Sequence, residues 1–515
     1  MSPMPTRPQI EASFALPTYK VEILDASGTW HTILNARVAS ISGSADSTGN
    51  QDNGLSFGTP SSPTASVEVE DHILYSSYYA HDKYWINRPV RISFGFSTSD
   101  YVVVYQGPVK SLSRKNEAVT FDLGGSLDYL ANVKLHTRMY YNKAAATKTT
   151  IATIEDPTDV GYVGGLINFA FWYAGGRPYE QKDIIYTEAS TGWKFWYSCE
   201  QSLIAIDFSW YSGDNTQDEV FSIARAVGGQ IYQDTLGVVR YTQPLTFADT
   251  TGYSSYYTFT DSVFNGYSET ISNAEAVGLL KMAFTPRRVE PVQEVIKDSK
   301  PRLFMPGETQ IIELAPQAPI YEYEGLVSFA SSTATNTLKA LYVDNRAVTP
   351  TIGTVLSYAN KVSMEITNPS STTPMIINNI TIQGRPLAVD NDIFVDFGFG
   401  TEPERVMENN IYVQNEVHAT RLIRMIYDFY SVLKPIITLD NVQYDPDRFI
   451  GEIVQIDSTY NSDATKYYRI IKVAHQNIGT SMSIGLVEIT DLSKRSDMFI
   501  IGDSYVSGDT RNLSY

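Results

Sequence analysis

The sequence predicts a mainly β protein with α+β inserts, built from two β units that read as barrels or sandwiches, an α/β segment and a β-sandwich-like module. Three observations predict it. Short alternating segments follow one another at intervals of about ten to fifteen residues near the start of the chain, the spacing of an antiparallel barrel or sandwich. Tyrosine is in excess, with 35 Tyr beside 22 Phe and 6 Trp. Tyr favours strands and assembled interfaces, because it buries area while keeping a polar tip. Helical periodicity is strong in only two places, just after 214–218 and over 417–433.

The first barrel is assigned to residues 1–135. Strands are expected at 20–24 and 38–41, then at 65–69 beyond a Ser, Gly, Asn, Asp and Pro-rich stretch at 42–63 that reads as an exposed loop. A tyrosine-dense segment at 75–85 precedes further strands at 88–96, 101–107 and 119–123.

An aromatic-rich helical and α+β domain is assigned to 136–268. Short helices are expected at 127–135 and 149–154, and a longer apolar one at 164–174 ends at Gly175-Gly176, where glycine suits a left-handed cap. Trp172, Trp193, Trp196 and Trp210 crowd the next stretch. A helix carrying Val220, Phe221, Ile223, Ala224 and Val227 on one face follows the acidic 214–218 and stops at Gly228-Gly229. Strands at 230–233 and 238–242 then read as a hairpin turned at 234–237.

Residues 269–387 read as the sandwich-like module, with alternation at 310–314, 361–367 and 376–382. The second barrel and a C-terminal tail are assigned to 388–515. Within it, Val417, Leu422, Ile423, Ile426, Phe429, Tyr430 and Leu433 recur at spacings of three and four, and Pro435 follows. Strands at 436–439, 453–456, 467–475 and 481–488 complete the unit.

At 515 residues the chain is several times the usual domain of about 100–150 residues. Hydrophobic residues make up 43% and charged residues 19%, so it can bury its cores and disorder is excluded as an overall description. Lys and Arg number 39 against 57 Asp and Glu, a net charge of −18 with no basic block. That balance disfavours nucleic-acid binding, although an acidic lumen would let a polyanion pass without sticking. Cys199 is the only cysteine, which excludes an intrachain disulfide and zinc sites built on paired thiolates. No apolar run approaches the roughly 20 residues of a membrane span, and the first 14 residues lack a signal-peptide core. A soluble intracellular product is expected.

No catalytic constellation emerges. Gly502-Asp503-Ser504 with Gly508 resembles the nucleophile block of GDS-type esterases, but the later partners of that family cannot follow in the eleven residues that remain. The six histidines, His31, His72, His81, His136, His418 and His475, show no metal-binding spacing. Asp214, Asp218 and Glu219 suit a helix N-terminus, and Asp390 with Asp392 suits a loop better than a calcium or glycosidase pair. Trp172, Trp193, Trp196 and Trp210 read as core or interface aromatics, with a sugar-stacking platform as the alternative.

The order of segments resembles the tail-tip or baseplate hub proteins of tailed bacteriophages, also called minor tail proteins. Residues 90–96 followed by Val104-Tyr105-Gln106-Gly107 look like the opening barrel of that family, and the helix, Gly228-Gly229 and hairpin 231–240 follow in its order. Residues 380–387 (ITIQGRPL), the helix and Pro435, Ile450-Gly451-Glu452-Ile453-Val454 and Tyr468-Arg469-Ile470 are similar to its second barrel, with Glu452 where aspartate is common.

The resemblance implies hub-type barrels in a homotrimer, where two barrels per chain build a pseudo-six-fold ring at the distal end of the virion tail. Its implied partners are the distal tail protein and tail tube protein on one side, tail fibres or a central spike on the other, and the tape-measure protein passing through. It implies neither enzyme activity nor a cofactor, no sequence-specific nucleic-acid contact, and synthesis in the host cytoplasm. A glycan-binding receptor protein using the Trp172–Trp210 aromatics is the alternative.

Overall fold

The computed structural model describes residues 18–489 apart from 25–28, 34–35, 45–62, 70–84, 96–100, 116–117, 132, 136–141, 144–162, 179–194, 200–205, 207, 210–214, 235–236, 243–256, 272–276, 326–338, 399–403, 408, 431–434, 446–447, 449–451, 462–465 and 478–480. Most of the expected 75–85 segment and the helix expected at 149–154 lie outside these residues.

A single 13-stranded sheet unites the two barrels. Its N-terminal part runs in the order Ala36–Ser44, Thr64–Val69, Ala118–Leu123, Val102–Lys115, Pro89–Gly95, Thr18–Leu24 and Trp30–Ile33. The first and last of these strands are neighbours in the chain, with only residues 34–35 between them. The three Cα–Cα steps from Ile33 to Ala36 span at most about 11 Å, so the sheet must curl to bring its ends near each other. The C-terminal part is closed by the same logic. It runs Gly266–Thr270, Ile436–Gln443, Ser481–Ile489, Tyr467–Asn477, Ile453–Asp457 and Tyr257–Thr260, and its end strands are joined by residues 261–265. Inward and outward residues alternate as a curled sheet requires: in Thr64–Val69 only Ala65, Val67 and Val69 are buried.

The barrels meet along a seam that the sequence does not announce. Ala36–Ser44 pairs antiparallel with Tyr467–Asn477, through Ile41↔His475, Ser42↔Ala474, Gly43↔Val473 and Ser44↔Lys472. The two interiors form one apolar cluster, in which the rings of Phe94 and Tyr444 lie 4.6 Å apart. The sheet also draws residues 257–270 in with the C-terminal strands, across the boundary that the sequence suggests near 268.

Among the described residues four helices stand outside this sheet: α1 (Asp128–Ala131), α2 (Val163–Tyr173), α3 (Thr216–Ala226) and α4 (Glu416–Tyr430). Asn215, rather than the expected aspartates, caps α3, its side chain accepting from the Gln217 amide at 2.7 Å. Asp218 and Glu219 occupy the first turn, where their charge suits the helix N-terminus, and Asp214 lies outside the described residues. Gly228, at φ +67°, ends the helix. The expected hairpin forms at Gln230–Gln233 and Val238–Thr242. Phe195–Cys199 and Gly176–Pro178 extend it as parallel strands into a four-stranded sheet.

Helix α4 overlaps the helix expected over 417–433, but its apolar face does not serve the second barrel to which the sequence assigns it. Ala419, Leu422, Ile423 and Ile426 join the core formed by α2, α3 and the four-stranded sheet. His418 is buried there, with Nε2 2.6 Å from the carbonyl oxygen of Ala226. A three-stranded sheet of Leu279–Phe284, Ile393–Gly398 and Glu404–Met407 contributes Leu280, Met282 and Phe284 to the same core.

The sandwich-like module is an insertion into that three-stranded sheet. Its two sheets, one built around Met375–Val389 and one of Thr309–Leu314, Lys361–Thr367 and Thr351–Tyr358, enclose a separate core that includes Phe304, Met364, Ile366 and Ile377. Phe284 pairs with Ile393, Arg287 pairs with Val389, and the Asp390 amide donates to the Pro286 carbonyl at 3.0 Å. The chain therefore enters and leaves through adjacent backbone positions. Excising 287–389 and joining the stumps with two glycines is expected to leave both barrels folded, because no barrel strand loses a partner. Limited proteolysis and near-UV circular dichroism check this, and a molten remainder would refute it.

Candidate functional site

Two of the four candidate tryptophans, Trp172 and Trp196, belong to the described residues. Trp193 and Trp210 lie outside the described residues. Trp172, at the C-terminal end of α2, is 37% exposed, with its ring 6.0 Å from Phe169; Tyr173 is exposed beside it and stacks on Phe169. Trp196 lies between Phe195 and Tyr197 on a strand where side chains alternate between faces. Phe195 and Tyr197 pack against Phe171 of α2 at 6.2 and 5.5 Å. Trp196 consequently points away from α2, the helix that carries Trp172. Sugar stacking across this pair has no geometric basis.

The acidic candidates are held by protein donors. Asp392 accepts from Thr285 Oγ1 at 2.6 Å and from Asn409 Nδ2 at 3.0 Å, and Asp390 lies 3.7 Å from Arg288. Both brace the base of the inserted module. Among the described residues no group of three or more His, Cys, Asp or Glu could hold a metal ion. Ser504, His72, His81 and His136 lie outside the described residues. No helix among the described residues is long and apolar enough to cross a membrane.

What the structure does bring together is a junction between the two barrels and the α/β unit, centred on the hairpin. Gln233 is 1% exposed; its Oε1 accepts from the Ser126 amide at 2.5 Å, and its Nε2 donates to the Gln106 carbonyl of the first barrel at 2.7 Å. At the other end of the same strand, Gln230 Oε1 accepts from buried Arg469 of the second barrel at 2.9 Å. Tyr232, between them, belongs to the shared barrel core and lies under the Arg469 guanidinium at 5.9 Å. One four-residue strand thus grips both barrels with directional bonds, which fix orientation more closely than apolar packing alone. Sequence reasoning finds the strand but not this role. The only sequence signal is polar Gln at both ends of a segment whose four residues are all buried.

No protein-family model matches the chain, and no curated protein matches it. Among solved structures it is similar to the 43 kDa tail protein of prophage MuSo2 from Shewanella oneidensis, with 8% identity, TM-score 0.42 and coverage of 92% of this chain and 99% of that one. It is similar to a tail protein from Neisseria meningitidis MC58, with 7% identity, TM-score 0.41 and coverage of 92% and 96%. An E. coli component of the type VI secretion system, described as structurally similar to the phage T4 tail proteins gp27 and gp5, matches with 8% identity, TM-score 0.36 and coverage of 91% and 76%. The first two are described as tail proteins, the class that the order of segments resembles.

Proposed function

We propose that this chain is a structural virion protein that forms the trimeric hub at the distal end of a phage tail. The observation that carries the reading is the pair of barrels built from one sheet and fixed to each other by the seam at 41–44 and 472–475. Three copies of such a rigid pair present six barrels, which suits a six-fold tube on one side and a three-fold tip on the other. The distal tail protein and tail tube protein would take the six-fold side, and tail fibres or a central spike the three-fold side. The charge of −18 suits a channel wall past which DNA and a tape-measure protein move. Opening and closing of that channel then arises from subunit contacts, with no catalytic step and no cofactor.

Antibody labelling of intact virions, viewed by negative-stain electron microscopy, tests the reading. Label confined to the distal tip is expected. Label along fibres would favour a receptor-binding role, and unlabelled particles would remove the virion reading. The receptor-binding reading keeps one supporting observation, the exposed Trp172 and Tyr173 pair. A glycan array in which binding disappears with Trp172→Ala while assembly persists would favour it.

A further inference from the structure

We propose that the outer face of the larger sheet in the inserted module is a contact surface for a second copy of this chain. This deepens the hub reading by naming a surface for its self-association, and it rests on that reading only for the expectation that copies meet.

The face is apolar across four strands in register. Leu303 pairs with Ile376, Ile376 with Leu341, and Leu341 with Ala347. These four point to one side, because their neighbours Phe304, Met375, Ile377 and Ala340 point into the module's core. Met305 and Val343 are exposed just past the ends of the Arg302–Phe304 and Lys339–Tyr342 strands, next to this face. Leu303, Met305 and Val343 are 53%, 55% and 51% exposed. At its rim are charged groups that already have partners: Arg346 with Asp344 at 2.7 Å, and Glu308, which accepts from the Met305 amide at 2.6 Å. An apolar centre within a satisfied polar rim is the anatomy of a protein contact.

Charge identifies the occupant. Residues 287–389 contain nine Lys and Arg and nine Asp and Glu, a net charge of zero, so the whole excess of −18 lies elsewhere in the chain. The remainder holds 30 Lys and Arg against 48 Asp and Glu, so copies that approach through it bring net like charge together, whereas this face meets its twin or a neighbouring copy without that penalty. A basic partner would be drawn instead to the acidic remainder.

Sedimentation velocity of the purified full chain tests the proposal at low and high salt. Wild type is expected to self-associate, and more strongly as salt rises, because screening removes repulsion between the acidic remainders and leaves an uncharged contact intact. Leu303→Lys and Met305→Lys, each at an exposed position and each checked for unchanged circular dichroism, are expected to weaken association at least about tenfold. Ile311→Lys, at a 71% exposed position on the other sheet, is expected to leave it unchanged. A monomeric wild type overturns this surface whatever the tail labelling shows. Association that is unaltered by both Lys variants, or that weakens as salt rises, overturns it as well. Tip labelling together with a monomeric chain would spare the hub reading while sinking this one.

Discussion

Gly107→Ala is expected to cost about 3 kcal/mol or more in the first barrel, the upper part of the range for overpacking a core. Gly107 lies in the 14-residue strand Val102–Lys115, where that strand passes the loop at Gly124. A methyl group there would fall on the carbonyl oxygen of Gly124, well inside van der Waals contact, and 2.7 Å from the Tyr105 hydroxyl. Neither neighbour yields easily. The first is backbone, and the second is a buried phenol that donates to the same carbonyl at 2.6 Å. Burial also holds the Tyr105 phenol well above its ordinary pKa, so it stays a donor at any ordinary pH. Gly307→Ala is the control. Its φ of +68° disfavours a side chain, but nothing lies within 4 Å, so only conformational strain of about 1 kcal/mol should appear. Urea unfolding followed by the fluorescence of Trp85, whose ring lies 5.3 Å from Phe121 in the barrel interior, reads the first variant, and hydrogen exchange in Lys361–Thr367 of the module reads the control. A loss no larger for Gly107→Ala than for Gly307→Ala would mean that the approach of Gly107 to Gly124 is not as described.

The contrast between these glycines shows which parts of the fold the sequence discloses. Strand and helix positions are set by local periodicity, and they are legible. The hairpin at 230–233 and 238–242, the helix that begins after Asp214, and the strands at 361–367, 453–457 and 481–489 fall where alternation places them, within a residue or so. The same local logic identifies Gly228 as a helix stop. It does not identify Gly107, whose constraint comes from a carbonyl 17 residues away across the sheet. Pairing partners are hidden for the same reason. Helix α4 has an apolar stripe that any core could bury, and periodicity says how wide the stripe is but not which core receives it. The seam at Ile41 and His475 joins residues more than four hundred positions apart, and neither flanking strand advertises its edge. The relation of Trp172 to Trp196 is hidden differently. The two are close in sequence and aromatic, but a helix and a strand present their side chains with different periods, and Trp196 points away from the helix that carries Trp172.

Gln233→Leu is expected to loosen the junction on which the relation of the two barrels depends. The volume is nearly kept, so the loss is polar: the buried Ser126 amide and the Gln106 carbonyl each lose the Gln233 amide as partner. A buried group deprived of its hydrogen bond costs about 1–3 kcal/mol, so the pair should cost about 2–5 kcal/mol. Hydrogen exchange is the sharper readout, since local opening of the hairpin and of Ser126 should accelerate while protection in Lys361–Thr367, inside the separate core of the module, stays as in wild type. Gln233→Glu separates bonding from packing. Its carboxylate can still accept from Ser126 but cannot donate to Gln106, and burial in this site raises its folded pKa above the unfolded value near about 4.3. A group whose folded pKa is raised is bound to its proton more tightly in the native state. Compared with wild type at each pH, Gln233→Glu should therefore come nearest to wild-type stability below about pH 4, where the protonated acid can donate, and fall behind as pH rises through the carboxylate range. A deficit independent of pH would place the damage in packing and deny the hydrogen bonds their role.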